Sequence, residues 1–376
     1  MRELGEIREE IDSIDAKIVA LYEQRMGLTE QVAEYKIGTG KKVLDKEREK
    51  SKLEKIGGLA TTEFTRYGVT ELFEQIMAMS RKRQYQMLTE HGILDKPDFV
   101  SVESLPVENK KIVFQGVEGA YAQVAMETFF GKNTDSFHVE SWRDAMEAIQ
   151  SGEADYAVLP LENSSAGIVS QNYDLLMEYD NCIVGEQIIK IDHCLLGTKD
   201  ASLSDITQVY SHPQGLMQCA GFLEAHRGWD SISTKNTAMA AKKIQEDAKK
   251  NQAAVASRLT ADIYGLKILK ECVQDNPNNS TRFIIVSSRK MYVQDAKKIS
   301  ICFEIPHESG SLYRALSHFI YNNLNMDHIE SRPIKDRNWE YRFFIDFVGN
   351  LEDSAVQNAL RGLKEETVKL KILGNY

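Results

Sequence analysis

The sequence predicts a multidomain chain: an all-helical segment over residues 1–90, a linker over 91–110, an α/β domain over 111–290 and a small α+β domain over 297–376. Three observations carry that reading. Apolar residues recur at alternating spacings of three and four from Leu4 to Tyr35, and no proline occurs before residue 97. Short apolar runs then alternate with helical patterns, as in α/β proteins. After Lys297-Lys298 the order changes to βαββαβ. At 376 residues the chain exceeds one ordinary core and has room for two or three domains.

In the first part, Leu4, Ile7, Ile11, Ile14, Ile18, Leu21, Leu28, Val32 and Tyr35 form the seam of one long amphipathic helix. A helix of that length does not bury such a seam alone, so a partner chain is expected, as a homodimer or higher homo-oligomer. Asp45 is the expected N-cap of a second helix that ends at Gly57-Gly58, and a third runs from about Phe64 to Leu88. Periodicity is lost from His91 to Lys110, around Pro97 and Pro106. The α/β part shows strands at 112–114, 156–159, 183–184, 194–196, 209–210, 253–255 and 283–286, with helices at 121–130, 142–150, 213–225 and 237–248. Ligands of such sheets bind at the strand C-termini. In the last part, strand 299–305, helix 311–323, strands 326–333 and 340–348, helix 353–366 and strand 368–373 make a ferredoxin-like unit.

Composition narrows the function classes. A net charge of -10 argues against a nucleic-acid binder, but a few converging cations suffice to hold a small dianion. No apolar run approaches the ~20 residues of a membrane span, and the N-terminus is acidic where a signal peptide is apolar. Five scattered cysteines fit neither a disulfide framework nor a zinc site, which suits a cytoplasmic chain without a metal. The absence of Gly-x-Gly-x-x-Gly argues against a nicotinamide enzyme.

Arg25 falls on the apolar seam where the stripe calls for Leu or Ile. Lys36 follows 11 residues on, about 20° away and about 16 Å along the axis. Read singly, such residues are a solvated surface with a snorkelling arginine, yet an unpaired cation in a seam is costly and implies a ligand or partner. The set Leu-x-x-x-Arg8, Glu-Gln-Arg25-Met, Glu-Tyr-Lys36, Asp45-x-x-Arg48-Glu49 and Ser80-x-x-x-Gln84 resembles the all-helical chorismate mutases, whose long helices intertwine as dimers. The resemblance implies chorismate as substrate and a pericyclic rearrangement to prephenate that needs no nucleophile, metal or cofactor. A cage that holds the reactive conformer and stabilises charge on the breaking ether oxygen suffices. It implies carboxylate binding by Arg8 and Arg25, help with substrate charge from Arg48, and Lys36 and Gln84 facing the ether oxygen. Glu49 and Asp45 hold the ring hydroxyl, and Ser80 lines the site.

In the α/β part, Gly116-x-x-Gly119-Ala120-Tyr121 follows a strand and opens a helix. Leu159-Pro160-Leu161-Glu162-Asn163-Ser164 lies just past a strand, Ser211-His212-Pro213-Gln214 follows another, and Asn279-Ser280-Thr281-Arg282-Phe283 leads into a third. Any one alone reads as turn and cap chemistry. Together with Ile191-Asp192-His193-Cys194 and Asn236-Thr237-Ala238 they are similar to prephenate dehydratase, over about 111–290. That family has a periplasmic-binding-protein-like fold of two α/β lobes with its site in the cleft. The reaction expels CO₂ and the ring hydroxyl as water, giving phenylpyruvate. The resemblance implies that Thr281 is a hydrogen-bond donor inside a relay. It also implies that Asn163, His193, Ser211, Gln218 and Thr237 bind or orient substrate, with Arg282 pairing with a carboxylate. His193 reads equally as a structural histidine. The chain departs from the family at Val117 and Ala120, where Pro and Ser or Thr are common.

Gly310-Ser311-Leu312-Tyr313 and Glu330-Ser331-Arg332-Pro333 resemble the two motifs of the phenylalanine-binding ACT regulatory domain; Ser311 and Tyr313 depart mildly. An ordinary interaction domain is the plain alternative. The reading as a whole is a bifunctional enzyme of phenylalanine biosynthesis, with feedback inhibition by L-phenylalanine. A catalytically silent ligand sensor is the alternative of a different class. A mutase–dehydrogenase is the enzymatic rival, disfavoured by the missing dinucleotide motif.

Overall fold

The computed structural model describes residues 2–93, 98–335 and 337–376, so that Pro97 and its neighbours in the expected linker lie outside the described residues. The chain forms two compact units. One joins the N-terminal helical segment to Ile301–Lys371; the other is Asp98–Ser300 with Ile372–Tyr376.

In the first unit, α1 (Leu4–Thr39), α2 (Lys46–Gly57) and α3 (Glu63–Glu90) follow the sequence signals closely. Asp45 caps α2, its carboxylate accepting from Arg48 N at 3.1 Å. Thr62 and Thr65 close a capping box on α3. The face of α1 that meets α3 is not the apolar stripe. Thr29 and Ala33 are buried there, and their small side chains let the helices approach closely. The stripe stays uncovered within one chain, with Ile11 50% and Leu21 64% exposed. Arg25 lies at the boundary between the two faces and is half-buried.

The C-terminal part of this unit has the expected order. Strands Lys298–Glu304, Met326–Pro333, Tyr341–Val348 and Lys369–Asn375, of which the first begins and the last ends in the second unit, are interleaved with helices Ser311–Tyr321 and Ser354–Glu366. Met326–Pro333 is the edge strand, pairing antiparallel with Tyr341–Val348. Phe319 packs edge-on against Phe347 in the core. The helix Ser354–Glu366 packs against α3.

The second unit holds two main sheets, each with its own core, and a small two-stranded one. In the first lobe the strand order is Cys182–Lys190, Ser280–Ser287, Tyr156–Asn163, Ile112–Gln115, Ser136–Val139. In the second it is Lys267–Lys270, Cys194–Gly197, Gln252–Ala256, Gln208–Ser211, Asp230–Ser233. The chain passes between lobes twice, through Ile191–His193 and through 271–279.

Several local expectations change. Val100–Val102, expected as linker, pairs parallel with Met291–Val293. The segment expected past a strand at 160–163 belongs to it, because a bulge opposite Arg282 and Phe283 accommodates Pro160. The helix expected over 213–225 breaks at Cys219, which is fully buried in the second-lobe core. Among the described residues no helix is long and apolar enough to cross a membrane.

Candidate active sites

The crossings between lobes bring one group of residues together. Strand pairing sets Thr281 directly opposite Asn163, so Thr281 lies within its strand rather than ahead of it. Asn163 Nδ2 donates to Thr281 Oγ1 at 2.8 Å and to Asn279 Oδ1 at 2.9 Å. Asn163 Oδ1 accepts from the Ser165 and Ala166 amides at 3.0 and 2.8 Å and from Gln218 Nε2 at 3.5 Å. Gln218 Oε1 faces His193 Nε2 at 2.9 Å, and His193 Nδ1 lies 3.1 Å from the Tyr121 hydroxyl. His193 is 2% exposed. Burial holds its imidazole below its ordinary value, more than the Gln218 bond lifts it, so the ring is neutral at pH 7.

Donation therefore runs in one direction, from His193 Nε2–H to Gln218, from Gln218 to Asn163, and from Asn163 to the lone pair of Thr281. The hydrogen of Thr281 has no acceptor among the described residues. A hydroxyl that accepts from within the protein is thereby oriented to donate outward.

Ser211 and Thr237 belong to a different cluster. Ser211 ends its strand as expected, but is fully buried and donates to Val255 O at 2.7 Å. Thr237 opens the helix Thr237–Asp247, behind the N-cap Asn236, and lies beside Gly215 and Ser211. Arg282 does not join the group around Thr281. The residue next to Thr281 along a strand points to the opposite face, and there its guanidinium takes Glu186 at 2.8 Å and the Tyr376 hydroxyl at 2.7 Å. It is occupied by a carboxylate of the protein. The first loop is held to the second lobe, as Gly119 O accepts from Ser257 and Thr260 at 3.1 and 2.9 Å. Gly119 has φ +86, and a Cβ there would meet Thr260. Ala120 stands at the N-cap of Tyr121–Phe130 with no side-chain cap.

In the helical segment the structure gathers all the expected residues but one. Arg25 Nη1 donates to Ser80 Oγ at 2.5 Å, and Lys36 Nζ to Val43 O at 2.6 Å. Burial lowers the pKa of both; Glu49 opposes this at each, while the charge of Arg48 adds to it at Lys36. Gln84 is buried on α3, one amide hand on Ser80 O at 3.2 Å and Oε1 without a partner among the described residues. Asp45 and Arg48 are exposed at the start of α2. Arg8 is the exception: it is exposed on α1, 17 residues and about 26 Å along the axis from Arg25. Sequence reasoning missed Arg81, which is 8% exposed and donates to Glu49 at 2.5 Å. It missed Tyr121 as a site group too. The signals were present: an Arg beside Ser80, and an aromatic directly after the glycine loop.

Among the described residues, the first of the two C-terminal motifs lines a hollow that the second does not. A hollow of about 200 Å³ is lined by Gly310, Ser311, Leu312 and Tyr313 with Tyr341 and Phe343. Glu330, Ser331, Arg332 and Pro333 lie along the edge strand, where Ser331 pairs with Phe343, and do not line it.

Fold and site define a two-part enzyme class, in which a helical domain with convergent cations precedes a two-lobe α/β domain with a polar relay where the chain crosses between lobes. The family model for prephenate dehydratase matches residues 112–291, and that for chorismate mutase type II matches 7–85. A bifunctional chorismate mutase/prephenate dehydratase of Escherichia coli (strain K12) is 32% identical, covering 98% of this chain and 95% of its own length. Among solved structures, a prephenate dehydratase from Arthrobacter aurescens in complex with L-Phe is 30% identical with a TM-score of 0.66, over 71% of this chain and 89% of that one. A protein described as GqqA, a novel type of quorum quenching acylase, is 31% identical with a TM-score of 0.66, over 71% of this chain and 97% of that one. The chain belongs to the family of bifunctional chorismate mutase/prephenate dehydratases.

Proposed function

We propose that the protein converts chorismate to prephenate and then prephenate to phenylpyruvate, in phenylalanine biosynthesis. Residues 1–90 carry the first reaction, 111–290 the second, and 297–376 form a regulatory module.

The first reaction is unimolecular, so its site has to hold a dicarboxylate in the reactive conformer and stabilise the ether oxygen. Arg25 and Arg48 supply carboxylate contacts, and Lys36 faces the ether oxygen. Gln84 serves beside it: one Nε2–H is taken by Ser80 O, and the second is the donor this reading assigns to the ether oxygen. Asp45 and Glu49 take the ring hydroxyl. Arg8 comes from a second chain across the exposed stripe of α1, whose uncovered Leu and Ile residues support a dimer.

In the second reaction the carboxylate carbon departs as CO₂, its electrons aromatise the ring, and the ring hydroxyl departs with one proton as water. Thr281 hydrogen-bonds to that hydroxyl as it leaves. The observation that carries this reading is the one-way chain from His193 through Gln218 and Asn163 to Thr281. Ser211 and Thr237 shape the second-lobe wall.

The C-terminal module reads as an ACT domain of ferredoxin-like fold that binds L-phenylalanine. Its βαββαβ order and the hollow at Gly310–Tyr313 support this. None of the five cysteines forms a disulfide among the described residues, which is consistent with a reducing cytosol. The test is an assay of the purified chain on chorismate, with and without L-phenylalanine. Phenylpyruvate should accumulate and phenylalanine should suppress it; formation of neither prephenate nor phenylpyruvate would refute the proposal.

A further inference from the structure

We propose that the C-terminal module completes the mutase site, with Glu366, acting through Arg81, as a positioning residue for Glu49. This rests on the reading of Glu49 as a group that holds the substrate's ring hydroxyl.

Arg81 is a buried guanidinium on α3, one residue after Ser80 and three before Gln84. A buried cation needs partners for its charge and its N–H groups. Arg81 divides its fork between two carboxylates from distant parts of the chain: Nη1 donates to Glu49 Oε2 at 2.5 Å and Nη2 to Glu366 Oε1 at 2.9 Å. Glu49 sits near the start of α2, its side chain 25% exposed, and Arg81 is its one side-chain partner among the described residues. Glu366 is the better covered partner, at 14%. It ends the helix Ser354–Glu366, which is fastened to α3 at three further points. Tyr85 donates to Glu365, Thr89 Oγ1 to Asn358 at 3.3 Å, and the Arg361 guanidinium lies 5.7 Å from the centre of the Tyr85 ring.

Behind Glu366 stands His318, with Nε2 at 3.5 Å. Burial would raise the Glu366 carboxyl, but His318 and Arg81 outweigh it and hold it below its ordinary value, so it is an anion at neutral pH. Two fixed acceptors define the plane of a planar fork where one would leave it free to turn. Glu366 thereby fixes where Arg81 holds Glu49. A misplacement of about 1 Å in such a group is worth up to ~10²-fold in rate.

The experiment is a double-mutant cycle on mutase kinetics of the full chain, read as kcat/KM for chorismate. Glu366→Gln keeps the shape and removes the charge; it is expected to lower kcat/KM by about 10-fold. In a Glu49→Gln background the same substitution is expected to do nothing further, because its route to the substrate is gone. Arg81→Lys keeps a charge but loses the fork, and should behave the same way if Glu366→Gln fails to fold. Equal losses in both backgrounds would mean a packing role and overturn the proposal. Wild-type rates for Glu366→Gln and Arg81→Lys, with Glu49→Gln impaired, would sink the proposal alone. A wild-type rate for Glu49→Gln would overturn the reading of Glu49 as well.

Discussion

Residue identity and residue orientation carry different information in this protein. Asn163, His193, Gln218 and Thr281 are legible in the sequence as polar groups flanking strands. Which way their hydrogens run depends on pairing register, which no local pattern encodes. Arg282 shows the consequence. With Thr281 placed ahead of a strand, its neighbour looks available to substrate; inside the strand, alternation delivers it to Glu186. Thr281→Ala is expected to reduce phenylpyruvate formation by about 10²-fold or more while prephenate still accumulates from chorismate, measured by following both products. Equal loss of both activities in a folded variant would refute the assignment. The buried neutral ring of His193 gives a stability signature. Its folded pKa lies below 6.5, and burial lowers that of His212 too. Below about pH 6.5 the unfolded chain binds protons that the native state refuses, so stability falls with falling pH. Melting temperatures between pH 7 and pH 5 should drop, and drop less in His193→Gln; an identical slope would count against a buried neutral His193.

Elements of the sheets were legible according to their place in them. The interior strands of both lobes announce themselves as apolar runs. Those missed are mostly edges: Ser136–Val139 ends the first sheet, and Asp230–Ser233 and Lys267–Lys270 flank the second. Edge strands carry polar and charged residues because one side of the ladder is unpaired, and so they lack the apolar signal. Capping was readable where a side chain does it, as at Asp45, and its absence is equally informative at Ala120. Gln123, in the first turn of that helix, already reaches back to the Gly119 N–H at 2.7 Å. Ala120→Ser would add the missing acceptor and is expected to stabilise the fold by about 1 kcal/mol, read as a rise in melting temperature. A fall would mean that the loop cannot admit the hydroxyl.

At the level of the whole molecule, the apolar stripe of α1 and the isolation of Arg8 lead to one prediction. Arg8→Ala and Arg25→Ala variants, each inactive as mutases, are unfolded and refolded together. In a mixed dimer one site keeps both arginines, so with random pairing about a quarter of wild-type activity should return. A mixture that stays inactive although mixed dimers form would rule out a shared site. Phenylalanine binding belongs to the same scale. A coupling of about 1–3 kcal/mol predicts a several-fold weaker affinity for prephenate when it binds, and Glu330→Ala and Ser331→Ala should abolish its calorimetric signal. Unchanged binding in both variants would place the ligand elsewhere.

The bond between Arg81 and Glu366 spans 285 residues of chain. During synthesis, at about 5–20 residues per second, α3 leaves the ribosome about 15–60 s before the helix that covers it exists. For that interval a buried arginine and the ring of Tyr85 must wait in water or in the care of a chaperone. The two-lobe segment is made in the meantime. The helical segment is thus first to be made but is completed only after most of the chain has followed it, and premature termination near residue 300 would release it with one face bare.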